Sequence, residues 1–220
     1  MPADTERSVS VMCEIKETRP KWVIATPILA IAFFLIALSC EKLAAAPCIA
    51  GPRPGTTLRL DLAGGRYQAA TYNADGTVHL ISYDASGNVT GDVVYADNGL
   101  RIQEAQSGLK VFNYTYEPGN HVGLSSGQFV VSILSDGALV NIFTSIQEIM
   151  GRSSTQVDGC TYPTVQIRRA NKTMWDVHTN VTTMIFSPDL KLPLMSKSIH
   201  ADGRVTEFLV KHIQVNDDTK

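Results

Sequence analysis

The chain has 220 residues, of which 44% are hydrophobic and 18% charged, a balance that excludes disordered and collagen-like chains and leaves an ordinary folded protein. Its formal net charge of -2 combines 19 basic with 21 acidic residues. The Lys and Arg are scattered along the chain, which lacks the electrostatic footprint of a phosphate-backbone binder, so no nucleic-acid partner is expected.

In chain order, a polar leader of residues 1–21 precedes Trp22 to Ser39, WVIATPILAIAFFLIALS, a run without charge that follows Arg19 and Lys21. Its 18 residues fall between the ~7–15 of a cleaved signal core and the ~20 of a spanning helix. Residues 22–39 therefore read as either a signal peptide or a transmembrane signal anchor. The two positive charges ahead of it keep the leader cytoplasmic and send the bulk of the chain across. The expected location is the cell envelope, with the domain exported, periplasmic or membrane-anchored, and the membrane as first partner.

Ile36-Ala37-Leu38-Ser39-Cys40 resembles a bacterial lipoprotein signal, which makes Cys40 the candidate lipidation site. Ordinary cleavage after Ser39 or near Ala44-Ala45-Ala46 is the alternative. Cys13 stays inside, whereas Cys48 and Cys160 lie on the oxidising side, where a disulfide between them is permitted. Such a bridge would close a loop of over a hundred residues and contribute ~4–5 kcal/mol in the chain-entropy model. The alternative is that Cys160 is a buried free thiol.

Residues 40–55, rich in Pro, Gly and Ala, read as a tether, and residues 56–215 as the folded domain, with 216–220 a tail. Turn signals recur at Gly64-Gly65, Asp75-Gly76, Ser86-Gly87-Asn88, Asp97-Asn98-Gly99, Ser107-Gly108 and Pro118-Gly119-Asn120. Between them lie short β-forming runs with period-two alternation, such as Val78 to Tyr83 and Leu109 to Tyr114, the pattern of an antiparallel meander with one buried face. From Gly137 to Met150 the spacing of Leu139, Phe143, Ile146 and Met150 by threes and fours predicts an amphipathic helix, capped by Asp136 and stopped by Gly151. Strands then resume to Val215, with a turn at Asp202-Gly203. The fold class expected is mainly β (α+β): a curved antiparallel sheet or half-barrel with one amphipathic helix packed on it.

Gly123-Leu124-Ser125-Ser126-Gly127 matches the G-x-S-x-G nucleophile elbow in letters, but that motif needs a helix after the Ser, and Gln128-Phe129-Val130-Val131 reads as a strand. A serine hydrolase using Ser125 is accordingly the least favoured function. His79, His121, His178, His200 and His212 form no close pair, and no metal-ligand spacing or phosphate loop occurs, so no catalytic residue, metal or cofactor is expected.

The closing stretch carries Phe186, Ser187, Pro188, Leu190, Leu192 and Pro193, then Asp202-Gly203 and Thr206-Glu207-Phe208. It resembles the final strands of the LolA-like half-barrel envelope proteins. That resemblance implies a curved sheet whose concave face holds a helix and, in several members, a lipid or acyl chain, with Leu139, Phe143 and Ile146 as candidate apolar ligand contacts. The function expected is a non-enzymatic envelope domain that binds an apolar ligand or a partner protein, the alternative being a structural or interaction module of the envelope.

Overall fold

The structure, a computed structural model, describes residues 48–96, 98–117, 122–173 and 177–216. The leader, the apolar run 22–39 and Cys40 lie outside the described residues, as does the turn expected at Pro118 to Asn120. Twelve strands follow one another as a meander: β1 (Thr57–Leu62), β2 (Tyr67–Tyr72), β3 (Val78–Tyr83), β4 (Val89–Tyr95), β5 (Ile102–Ser107), β6 (Lys110–Glu117), β7 (Gly127–Ser135), β8 (Ala138–Val157), β9 (Cys160–Thr173), β10 (His178–Ser187), β11 (Leu192–His200) and β12 (Val205–Asn216). Each pairs antiparallel with its neighbours, and β1 pairs with β12 to close a barrel. Closure leaves no unpaired edge, which removes the template that exposed strands offer for aggregation.

Two expectations are corrected here. The sheet is a closed barrel rather than a half-barrel, and the predicted helix at 137–150 is the first part of β8; the one helical piece among the described residues is a 3-10 turn, Ala63–Gly65. The β class itself stands, while the α+β class does not. The physical reasons are local. Asp136 and Gly137 both have positive φ, 52° and 77°, the signature of a type I′ hairpin turn rather than a helix cap. Gly151 follows a bulge in the β8–β9 pairing rather than ending a helix. Ile142, Thr144, Ile146 and Ile149 are β-branched, which favours strand. The period-two signal was disguised because Ser145 and Gln147, both polar, occupy inward positions and are buried at 3% and 1% exposure.

The interior is filled by two clusters of side chains. One gathers Leu58 and Leu60 from β1, Ala70 and Tyr72 from β2, Val78 and Leu80 from β3, and Leu192 and Leu194 from β11. The other gathers Tyr116, Phe129, Val131, Val165, Ile167 and Phe186. The long β8–β9 hairpin divides them. Adjacent residues Thr164 and Val165 are both buried, and since neighbours in a strand point to opposite faces, β9 is covered on both sides. Val165 and Ile167 enter the second cluster, while Tyr162 and, from the tip of β8, Val157 enter the first.

Candidate functional site

An even-stranded meander puts its turns alternately at two rims. The near rim receives the chain at Thr57, releases it at Asn216, and holds the β2–β3, β4–β5, β6–β7, β8–β9 and β10–β11 connections. The far rim holds the other six. The two are built differently.

At the near rim the connections carry apolar residues that fold inward: Leu100, Val122 and Leu190 are all at most 3% exposed, as is Val157 at the tip of β8. Polar side chains then tie the loops together. Gln147 donates to the carbonyls of Gly123 (2.8 Å) and Ser125 (2.9 Å) and accepts from Arg169 (2.6 Å). Arg169 also donates twice to the Leu100 carbonyl, at 3.2 Å each. Burial pushes the Arg169 guanidinium below its ordinary pKa, an effect that Tyr116 and Tyr95 oppose. Among the described residues no carboxylate pairs with it, and the oxygens that its Nη1 and Nη2 bond are neutral. Asn98 donates to the Val122 carbonyl and accepts from the Leu100 amide, and Tyr72 donates its hydroxyl to the Leu190 carbonyl. Gly99 has positive φ, and a Cβ there would collide with the Lys191 carbonyl, so only glycine lets the two loops meet.

The same rim carries the Cys48–Cys160 disulfide, with a Cα–Cα distance of 5.4 Å across 112 residues. It fastens the segment that leads into β1 to the start of β9, beside Ile49, which packs on the first core. The β1–β12 seam is latched outside by Asp61, which accepts from Arg59 (2.8 Å) and Gln214 (2.8 Å). Burial would raise the Asp61 pKa, but these hydrogen bonds outweigh it and hold the carboxyl below its ordinary value.

At the far rim the apolar residues point out. Leu109, at the β5–β6 turn, is fully exposed (100%), and Leu139 and Val140 beside the β7–β8 turn are more than half exposed. Val177 leads into β10, Val89 opens β4, and Ile199 and Val205 flank the β11–β12 turn; all are exposed. Acidic residues occupy the turns themselves: Asp84, Asp136 and Asp202. The Asp84 carboxyl is held below its ordinary pKa by hydrogen bonds from the Asn88 side chain and amide.

The sequence-predicted positions are dispersed over this frame. Phe143 packs against the second core, Ile146 sits three residues on and therefore on the opposite, outer face, and Leu139 is exposed at the far rim, so the three do not form one apolar stripe. Ser125 lies in the loop before β7, exposed, with its carbonyl bound by Gln147, and the Ser126 hydroxyl accepts from the Ile149 amide. Both serve the loop. His79 pairs with Asp92 (2.6 Å), His212 with Asp158 (3.0 Å) and His200 with Thr206 (3.1 Å); among the described residues no histidine hydrogen-bonds Ser125 and no three metal-ligating side chains cluster. Sequence reading missed Arg169 and Gln147. Their one visible signal was polar residues standing in the inward phase of strands, as in Val165, Ile167, Arg169 and Asn171.

The sequence matches no protein-family model and no curated protein. Among solved structures, the chain is similar to the hypothetical lipoprotein YmcC from Escherichia coli (K12), with a TM-score of 0.45 and 12% identity over 84% of this chain and 94% of that one.

Proposed function

We propose that this chain is a non-enzymatic domain of the cell envelope, held to the membrane at its near rim, that docks a partner protein through its far rim. The single observation that carries the reading is the ring of exposed aliphatic residues at the far rim, drawn from five hairpins. Soluble surfaces rarely gather apolar area of this kind without a binding role. Each aliphatic side chain fully buried in a contact contributes up to ~1.5–3 kcal/mol, set against an association cost of ~4–15 kcal/mol, so the contact needs several of them together.

Two features favour a protein over a bilayer. The chain that follows the apolar run 22–39 joins the barrel at the opposite rim, with only seven residues, Glu41 to Pro47, between the candidate lipidation site and the disulfide; the eight steps from Cys40 to Cys48 span ~28 Å at most. The exposed acids Asp136 and Asp202, together with Asp84, would be repelled by anionic lipid headgroups. Docking is favoured over carriage of a lipid because side chains of both cores occupy the interior.

The test is site-specific photocrosslinking in cells, with the crosslinker placed at Leu109 or Leu139 and, as near-rim control, at Asp75. Both far-rim positions are expected to give the same single protein adduct, absent from Asp75 and lost when Val140→Asp puts a charge into the aliphatic ring. Equal adducts from all three positions, lipid adducts, or none would overturn the reading.

A further inference from the structure

The inward face of the barrel changes character toward the far rim. Beyond the apolar cores its strands carry Gln68, Ser82, Ser196, Ser198 and Thr206, which with Phe208 line a cleft of about 250 Å³. None of these five polar groups is charged. Gln68 donates to Ser82 (3.0 Å), Ser198 is bonded to Thr182 (2.7 Å), and Thr206 to His200 (3.1 Å), so the hydroxyls are held in place by one partner each and keep further hydrogen-bonding capacity. Ser196 makes no side-chain hydrogen bond among the described residues. In the next rows of the same inward face, the Asn171 Oδ1 is buried without a partner, a costly arrangement that calls for a donor.

We infer that this cleft is a binding site for a neutral, hydroxyl-rich small molecule of monosaccharide size, free or as the terminal residue of a glycan. Size and charge decide the class. The volume lies below the ~300–1,000 Å³ of sites for drug-sized ligands. Arg66 and Glu207, of opposite charge, both border the cleft, so its surroundings carry no net charge that would select an anion or a cation. Amide and hydroxyl side chains both donate and accept, as a sugar hydroxyl does, and the Phe208 ring supplies an apolar surface for the C–H face of a pyranose. The inference does not depend on the far rim docking a protein, since the cleft faces inward and the aliphatic ring faces out.

The experiment is saturation-transfer NMR and calorimetry on the full chain in a detergent without a sugar headgroup. The probes are glucose, galactose, N-acetylglucosamine and maltotriose, with glutamate and spermidine as charged controls. At least one neutral sugar is expected to bind saturably with Kd in the ~mM range or tighter, and Ser198→Ala and Thr206→Val, each removing one hydroxyl, are expected to weaken it at least ~10-fold with unfolding midpoints retained. Binding of maltotriose but not glucose would assign a glycan end, and the reverse a free sugar. No saturable binding, equal binding of the charged controls, or unchanged affinity in both folded variants would overturn the inference and leave a water-filled vestibule.

Discussion

The near and far rims of this barrel are made from the same chain with the same number of strands, yet they solve opposite problems. Near-rim loops are long enough to fold Leu100, Val122 and Leu190 back over the cores, and their carbonyls, which leave the sheet ladder, are paired by Gln147, Arg169, Asn98 and Tyr72. Far-rim turns at Asp136-Gly137 and Gly108-Leu109 are two residues long. They are too short to bury anything, and their aliphatic residues stay in solvent. Stability is therefore concentrated at one end, which leaves the other free to be shaped by contact with something else.

The largest expected effect comes from cutting the near rim's covalent tie. Cys160→Ser, or full reduction, should lower stability by ~4–5 kcal/mol on the chain-entropy model, read as a fall in the urea midpoint. A loss under ~1 kcal/mol would mean that the noncovalent ties alone hold this rim.

Alkaline pH should strike the same rim. Burial raises the pKa of Tyr72, Tyr95 and Tyr116, all near the loop end of their strands. In the folded state their protons are kept above the ordinary value of about 10, whereas the unfolded chain gives them up there. Stability is therefore full below pH ~10 and falls as pH climbs toward the folded values, by up to ~1.4 kcal/mol per pH unit for each tyrosine. Phenolate absorbance that rises before unfolding, measured together with circular dichroism, would contradict this.

Gln147→Leu keeps the volume but strands two loop carbonyls and removes an oxygen from Arg169. A cost of ~3 kcal/mol is expected from the unsatisfied groups, with amide exchange accelerated first in 122–126. Tyr72→Phe, which removes one donor from the Leu190 carbonyl, should cost ~1–2 kcal/mol. At the far rim Leu109→Ser and Leu139→Ser should change stability by less than ~0.5 kcal/mol, and a thermal melt showing more would erase the contrast between the rims.

Several far-rim and near-rim turns were legible in the sequence because they depend on one or two residues: Asp75-Gly76, Ser86-Gly87, Ser107-Gly108 and Asp202-Gly203 all stand at hairpins. Alternation exposed β3, where Val78 and Leu80 face inward. The helix expected over Leu139 to Met150 failed because the two inward polar residues, Ser145 and Gln147, carry a tertiary duty that local pattern does not reveal. Barrel closure had no local signal either, since Thr57 pairs with Asn216 across the whole domain. The lipidation expected at Cys40 lies outside the described residues. The far-rim ring was invisible because exposure of Leu109 follows from how short its turn is, and a lone aliphatic residue in a sequence looks the same inside or out.

The β1–β12 seam sets a schedule for the chain. Strand β1 is made first and needs as its partner the strand made last, so one flank of the growing sheet has no mate until residue 216 is present. Loop closure over so long a separation is slow, and until then an open edge can recruit a neighbouring chain. The last twelve-residue strand thus acts as a zipper pull: a chain truncated before Val205, or stalled with that stretch still inside a translocation channel, holds eleven strands and cannot become a closed protein.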